Sequence, residues 1–429
     1  MILFFLTSGL FLGWSLGAND ASHIFGSAVG SKMVTFRKAA IIASLFFILG
    51  AVIQGKGTSH TLGNLGAVNA IGGSFTVALA AAITIYMMTK FALPISTTQA
   101  IVGAIIGWNL FTANNTNSRV LSTIVAAWAA GPVIGAVFAV LLYIILKQFK
   151  KSVKIHLIRF ESLIRTGLVV VGAFGAYSLG ANNIANVMGV FIPAFHLQDL
   201  DLRIFTLDSN QQLFLLGGMA VATGIITYSW KVMETIGSNI LELSSEAAMV
   251  VVLAQSLVLF IFSSTGLSHF FVSIGLPSIP MVPVSSSQVI VGCILGIGLY
   301  KGARNINFKV LGEIALAWVI SPVASGLLTF FLLFFMKNIF AINVGTKSSE
   351  ALDTSKQIGN SIIYGQADVS EIVRYLLLGL FVFGAIAIAY YLLLENKKRR
   401  NGINRQRTQR ANRTTYRNNK RKRIRQIRP

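Results

Sequence analysis

Charge is what this chain has least of. Only 12% of its 429 residues are Asp, Glu, Lys or Arg, against about a quarter in an ordinary soluble domain. Acidic residues number 14, and cysteine occurs once, at Cys293. A single cysteine excludes an intrachain disulfide framework and any metal site built from several thiolates; Cys293 reads as a small helix residue. The five histidines, His23, His60, His156, His196 and His269, share no ligand spacing. No catalytic triad, phosphate-binding Walker loop or dinucleotide fingerprint is found, so the chain does not read as an enzyme. Without a nucleotide site, work against a gradient must draw on another gradient. No cofactor is implied beyond a coupling ion.

What is there is apolar. Hydrophobic residues make up 54% of the chain, beside 39 glycines, and mean hydropathy is +0.70. Small residues among apolar ones suit helices packed closely in lipid. Long apolar runs predict membrane segments at 1–17, 39–54, 75–92, 121–146, 163–181, 213–230, 247–264, 311–336 and 373–394, and shorter runs after Pro94 and Pro283 add two elements. Several runs fall short of the roughly 20 residues a spanning helix needs, which points to broken or re-entrant elements. The first run lacks the basic start of a signal peptide, and the polar patch that ends it recurs later, so it reads as mature protein.

Of 36 basic residues, fifteen lie in 396–429, where no acid occurs. Such a segment reads as disordered. It lacks the interleaved aromatics of a single-strand binder, holding only Tyr416; attraction to anionic membrane lipid explains it without nucleic acid. The basic segments 31–38, 147–165, 301–309 and the tail all thread to one side, the cytoplasm. The other side receives 192–210, with Asp199, Asp201 and Asp208 against Arg203, and a long loop. The N-terminus is then outside and the C-terminus inside.

Three motifs occur twice in the same order. Gly17-Ala18-Asn19-Asp20 matches Gly180-Ala181-Asn182-Asn183. Pro94-Ile-Ser-Thr-Thr-Gln99 matches Pro283-Val-Ser-Ser-Ser-Gln288. Ala127-Trp128 with Pro132 matches Ala317-Trp318 with Pro322. Each half holds five hydrophobic elements, an odd number, so the second half enters from the opposite side. Inverted repeats with interrupted elements are a signature of secondary transporters. The fold expected is an all-α polytopic membrane protein: a first inverted repeat at 1–146, a basic cytoplasmic loop at 147–165, and a second repeat at 166–336. An extracytoplasmic loop at 337–371, one extra span at 372–394 and a basic disordered cytoplasmic tail at 395–429 complete it.

The Pro-Ser/Thr-Gln segments read as re-entrant turns that open short helices. Unpaired first-turn N–H groups and hydroxyls there suit a tetrahedral oxyanion. This makes Ser96, Thr97, Thr98 and Gln99 with Ser285, Ser286, Ser287 and Gln288 the candidate anion ligands. Asp20 is the one acid expected deep in a span, a functional candidate by default; the bland alternative is a helix-end interaction with Lys32. Asn19, Asp20, Asn182 and Asn183 offer hard oxygen ligands to an alkali cation. His23 reads as a satisfied interior imidazole, with a proton-linked role as the alternative. Gly103 with Gly107, and Gly292 with Gly296, read as packing positions. Lys231-Val-Met-Glu234 reads as a cytoplasmic loop pair.

At these motifs, and over nearly everything up to about residue 340, the chain resembles the PiT family of inorganic phosphate transporters. That family carries Gly-Ala-Asn-Asp-x-Ala-Asn and Pro-x-Ser-Ser/Thr-Thr in both halves. Here His23 replaces the usual Asn, and Asn183 the second Asp. The resemblance implies a phosphate symporter of the cell membrane, sodium being favoured over the proton as coupling ion, and a homodimer. It places phosphate between the two tips and cations near the Asn-bearing motifs. A sulfate or other oxyanion permease of the same fold is the alternative substrate reading, and an ion channel the alternative mechanism.

The topology is testable with single cysteines at Ser152 and Ser209 in a Cys293→Ser background. An impermeant thiol reagent should label them from opposite sides of the membrane; labelling from one side removes the argument for inversion.

Overall fold

In the computed structural model, residues 2–345 are described apart from 67, 91–94, 154–155, 196, 202–205, 240–242 and 303–305. The extra span, the tail, most of the 337–371 loop, Pro94, His196, Arg203 and Glu242 lie outside the described residues. Within them the chain forms α1 (Ile2–Gly30), α2 (Phe36–Gln54), α3 (Lys56–Leu65), α4 (Ile71–Lys90), α5 (Thr97–Phe111) and α6 (Ser118–Ser152). The second half continues with α7 (Leu157–Met188), α8 (Ser209–Asn239), α9 (Ser245–Ser263), α10 (Thr265–Ser273), α11 (Ser286–Tyr300) and α12 (Phe308–Asn338). A short 3-10 turn, Gly189–Ala194, and a small antiparallel ribbon of β1 (Leu200–Asp201) with β2 (Thr206–Leu207) link α7 to α8.

Among the described residues, seven stretches are long and apolar enough to cross a membrane: Phe36–Gln54, Ile71–Lys90, Ser118–Ser152, Arg159–Ala194, Ser209–Trp230, Ser245–Ser263 and Phe308–Asn338. This is a multi-pass membrane protein. The helices α5 and α11 have 15 residues each, about 22 Å at 1.5 Å per residue, short of the roughly 30 Å hydrocarbon core. They are the elements expected after the two prolines.

Several expected boundaries change. The helix α1 runs through Asn19, Asp20 and His23 to Gly30, where the sequence suggested a span ending at 17. All three are buried, and Asn19 and Asp20 find hydrogen-bond partners in the bundle interior, so the backbone ladder has no reason to stop. Similarly α7 continues through Asn182 and Asn183 to Met188. The segment 147–165 is mostly helix, because α6 reaches Ser152 and α7 begins at Leu157. Lys231 to Glu234 is helical too, inside α8 rather than in a loop. The short helices α3 and α10 were not expected; Lys-Gly-Thr-Ser-His-Thr-Leu-Gly-Asn-Leu is too polar for an apolar-run search to find.

Helix starts are set by side-chain caps that satisfy a first-turn N–H. Asn117 Oδ1 accepts from Val120 N at 3.2 Å to open α6, and Asn307 Oδ1 accepts from Val310 N at 3.3 Å to open α12. Those two asparagines stand at the same distance in sequence from the two Ala-Trp motifs, a fourth repeated feature.

Packing between and within the halves is reciprocal. The helix α5 lies along α12, and α11 along α6; α1 packs on α8, and α2 on α7; α4 packs on α1, and α9 on α7. Glycine permits the closest of these approaches. A methyl group on Gly103 would overlap the carbonyl of Pro322, and one on Gly292 the carbonyl of Pro132. Gly107 meets Gly326 and Gly296 meets Ala136 in the next turn, as their spacing suggested.

These contacts give a stability test. Gly103→Ala and Gly292→Ala each gain about 1 kcal/mol of helix propensity. The overlap is with backbone, which cannot rotate away, so a cost of about 1–3 kcal/mol prevails. Both variants should melt below wild type in detergent. Gly312→Ala, with nothing within 4 Å of the added methyl, should not.

Candidate functional site

The polar residues of α1 and α7 repeat at one spacing. Asn19, Asp20 and His23 on α1 stand as Asn182, Asn183 and Asn186 do on α7, and all six are at most 1% exposed. Positions i, i+1 and i+4 fall on one side of a helix. Each set therefore faces the opened ends of α5 and α11.

Those ends are built alike. Ser96, extended at φ −95° and ψ 109°, caps α5 by accepting from Gln99 N at 3.2 Å. Ser285, at φ −74° and ψ 107°, caps α11 by accepting from Gln288 N at 3.3 Å. The ladders begin with Ala100 N on Ser96 O and Val289 N on Ser285 O. The N–H groups of Thr97, Thr98, Ser286 and Ser287 thus have no acceptor within their helices.

Asp20 joins the two tips. Its Oδ1 accepts from Asn19 Nδ2 at 2.8 Å. Its Oδ2 accepts from Asn183 Nδ2 at 2.7 Å, Ser286 Oγ at 3.1 Å and Thr97 Oγ1 at 3.2 Å. Asp20 is fully buried, and the ion pairs among the described residues are elsewhere, Lys56 with Asp208 and Lys150 with Glu246. Lys32, the bland partner, lies exposed beyond the end of α1. A buried carboxylate is tolerable only with such hydrogen bonds.

The other asparagines divide their work. Asn182 accepts from Val284 N at 3.1 Å and donates to Val282 O at 3.4 Å. It braces the extended approach to α11 rather than facing the carboxylate. Asn19 does part of the same for α5, donating to Ile95 O at 3.3 Å. Thr98 donates to Val284 O at 3.4 Å and accepts from Asn186 Nδ2 at 3.0 Å, tying one tip to the other. Ser285 and Ser287 share a hydrogen bond at 3.2 Å.

Acceptors are left over. The side-chain carbonyl oxygens of Asn19, Asn183, Asn186, Gln99, Gln255 and Gln288 are buried and receive no donor. An amide oxygen in that state suits a cation or a donor-bearing ligand. His23 corrects an expectation: neither ring nitrogen has a partner, so it is not a satisfied interior imidazole.

The structure therefore gathers the eight tip residues with Asn19, Asp20 and Asn183, and turns Asn182 to a bracing role. Two contributors were missed. Asn186 was signalled by its spacing from Asn182, which copies His23 from Asn19. Gln255, an amide inside the apolar run of α9, stood out only to a search for uncharged polar residues.

A family model described as "Phosphate transporter family" matches residues 16–329 and 278–425. Relatives include a "Putative phosphate permease" of Thermococcus kodakarensis, 25% identical over 406 residues, with 77% of this chain and 96% of the relative covered. Another so named, from Methanocaldococcus jannaschii, is 28% identical over 325 residues, covering 76% and 94%. A solved structure, "The sodium-dependent phosphate transporter", is similar in fold with a TM-score of 0.61 and 21% identity, covering 78% of this chain and 99% of that one.

Proposed function

This chain belongs to the phosphate transporter family, and on that premise we propose that it imports inorganic phosphate across the cell membrane by symport with sodium. One observation carries the reading: Asp20 Oδ2 consumes the hydroxyl protons of Thr97 and Ser286, one from each tip.

A hydroxyl has one proton to give. While Thr97 and Ser286 donate to Asp20, they have none for an oxyanion. The carboxylate also repels one directly. At an effective dielectric near 20, two unit charges 4 Å apart cost about 4 kcal/mol, so a divalent anion faces about 8. Two charge-assisted hydrogen bonds return only about 1.5–3 kcal/mol each. The anion alone loses that comparison.

A cation reverses it. Held by Asp20 with the free oxygens of Asn19 and Asn183, sodium neutralises the carboxylate and competes for its lone pairs. Thr97 and Ser286 can then turn to the anion, joined by the unpaired N–H groups of both tips. Each ligand thereby favours the other's binding, which is the coupling a symporter needs. The reciprocal helix packing and the two short tip helices support halves of inverted topology that close on the site from opposite sides.

Two outcomes are expected in proteoliposomes. Phosphate uptake should require an inward sodium gradient, and Asp20→Asn should abolish gradient-driven uptake; an Asp20→Asn protein with wild-type sodium dependence would falsify the cation assignment. Thr97→Val and Ser286→Ala should each weaken phosphate binding roughly ten- to a hundredfold, for a loss of about 1.5–3 kcal/mol. Intact affinity with Ala at all six tip hydroxyl positions moves the anion site elsewhere.

A further inference from the structure

Among the leftover acceptors, Gln255 comes from outside the duplicated motifs. It lies in the middle of α9, fully buried, with Nε2 donating to the main-chain oxygen of Ser286 at 3.5 Å. A main-chain carbonyl can only accept, so the amide must meet it with nitrogen. That leaves Oε1 for something else, and no donor among the described residues reaches it.

Its surroundings place it at the tip of α11. The helix α9 packs on α11, α7 and α6. Its next residue, Ser256, meets α7 at Gly175, where Ile24 of α1 also packs. Gln255 thus bonds the main chain of the residue whose hydroxyl reaches Asp20. In the other half α4 packs on α5, α1 and α12, and its buried middle is Ala80, Ala81 and Ala82. The helix α4 carries no Gln or Asn, so of these two helices α9 alone brings a side-chain amide.

Tetrahedral oxyanions differ in what they ask of such a group. At neutral pH phosphate and arsenate keep at least one proton, and so present an O–H together with bare oxygens. Sulfate and selenate present bare oxygens alone. The tip hydroxyls and N–H groups serve both kinds. A buried amide oxygen is satisfied by the first kind and left facing lone pairs by the second. A glutamine does this without setting a second negative charge beside Asp20.

We infer that Gln255 is a specificity-determining residue whose Oε1 accepts the P–OH of hydrogen phosphate, so that the site takes proton-bearing oxyanions and rejects sulfate. This rests on the phosphate reading given above and deepens it. A site built to hydrogen-bond a substrate hydroxyl discriminates against analogues lacking it by as much as about 10⁴–10⁵.

The test is competition against radiolabelled phosphate uptake by the full-length protein in proteoliposomes with an inward sodium gradient. Arsenate should inhibit at concentrations comparable to phosphate, whereas sulfate and selenate should need at least about a hundredfold more. Gln255→Leu keeps the bulk and removes the acceptor. It should raise the phosphate concentration for half-maximal uptake about ten- to a hundredfold and bring the arsenate and sulfate inhibition constants together. The sodium concentration for half-activation at saturating phosphate should stay put. Equal inhibition of wild type by arsenate and sulfate overturns the inference, and this arm does not depend on how the variant folds. A variant that keeps the wild-type selectivity also overturns it, and a shift in sodium activation instead makes Gln255 a cation ligand. Wild type that takes up no phosphate at any sodium concentration overturns the transport reading, and this inference with it.

Discussion

A carboxylate among apolar helices must be solvated by the protein itself, and Asp20 is solvated from four separate elements. Asn19 belongs to α1, Thr97 to α5, Asn183 to α7 and Ser286 to α11. Two of these are the opened ends of short helices, and two are the polar turns of long ones. At this carboxylate both duplicated halves therefore meet through hydrogen bonds to a single charged group. Any change in its charge alters four contacts together. On the proposed reading, a cation arriving at Asp20 would be felt by donors on both tips without a relay through distant residues.

Such a meeting point needs helices that approach closely and stop at a defined depth. Gly103 against Pro322 and Gly292 against Pro132 supply the approach, because a backbone carbonyl sits where a side chain would otherwise be. Ser96 and Ser285 supply the stop, each consuming one first-turn N–H and leaving its neighbours free. Asn182 and Asn19 hold the extended strands that lead into those stops. Gly103, Gly292 and Asn182, which touch no ligand in this scheme, thus help decide where the ligands can be.

Much of this was legible because the chemistry is written twice. The three motif pairs located both tips and both polar turns, and the small-residue spacing located the tight crossings. Individual hydrogen-bond partners were not legible. The motif names an asparagine at 182 and another at 183, but only the packing of α7 against the approach to α11 turns the first to backbone and the second to Asp20. Apolar-run reading also cut α1 at 17, since it treats a polar residue as an end. In a bundle interior that residue is an attachment point, and the helix continues to Gly30. The unpartnered state of His23 and the place of Gln255 were not legible for a related reason: a polar side chain without a protein partner looks, in sequence, like one that has found its own.

The two halves differ where their duplication would have made them the same. Asp20 faces Asn183, His23 corresponds to Asn186, and α9 carries the amide of Gln255 where α4 carries none. A site with a carboxylate in both halves would hold two negative charges a few ångströms apart, each needing its own cation before an anion could enter. Asn183 instead donates to Asp20 at 2.7 Å, turning the second position from a charge to be neutralised into a donor that stabilises the first. On the proposed reading, one neutralising cation would then suffice to release the tip hydroxyls. The asymmetry also makes the two sides of the site chemically distinct. A ligand with one protonated oxygen has a single satisfactory orientation there, its O–H toward Gln255 and its bare oxygens toward the hydroxyls and free N–H groups of the two tips.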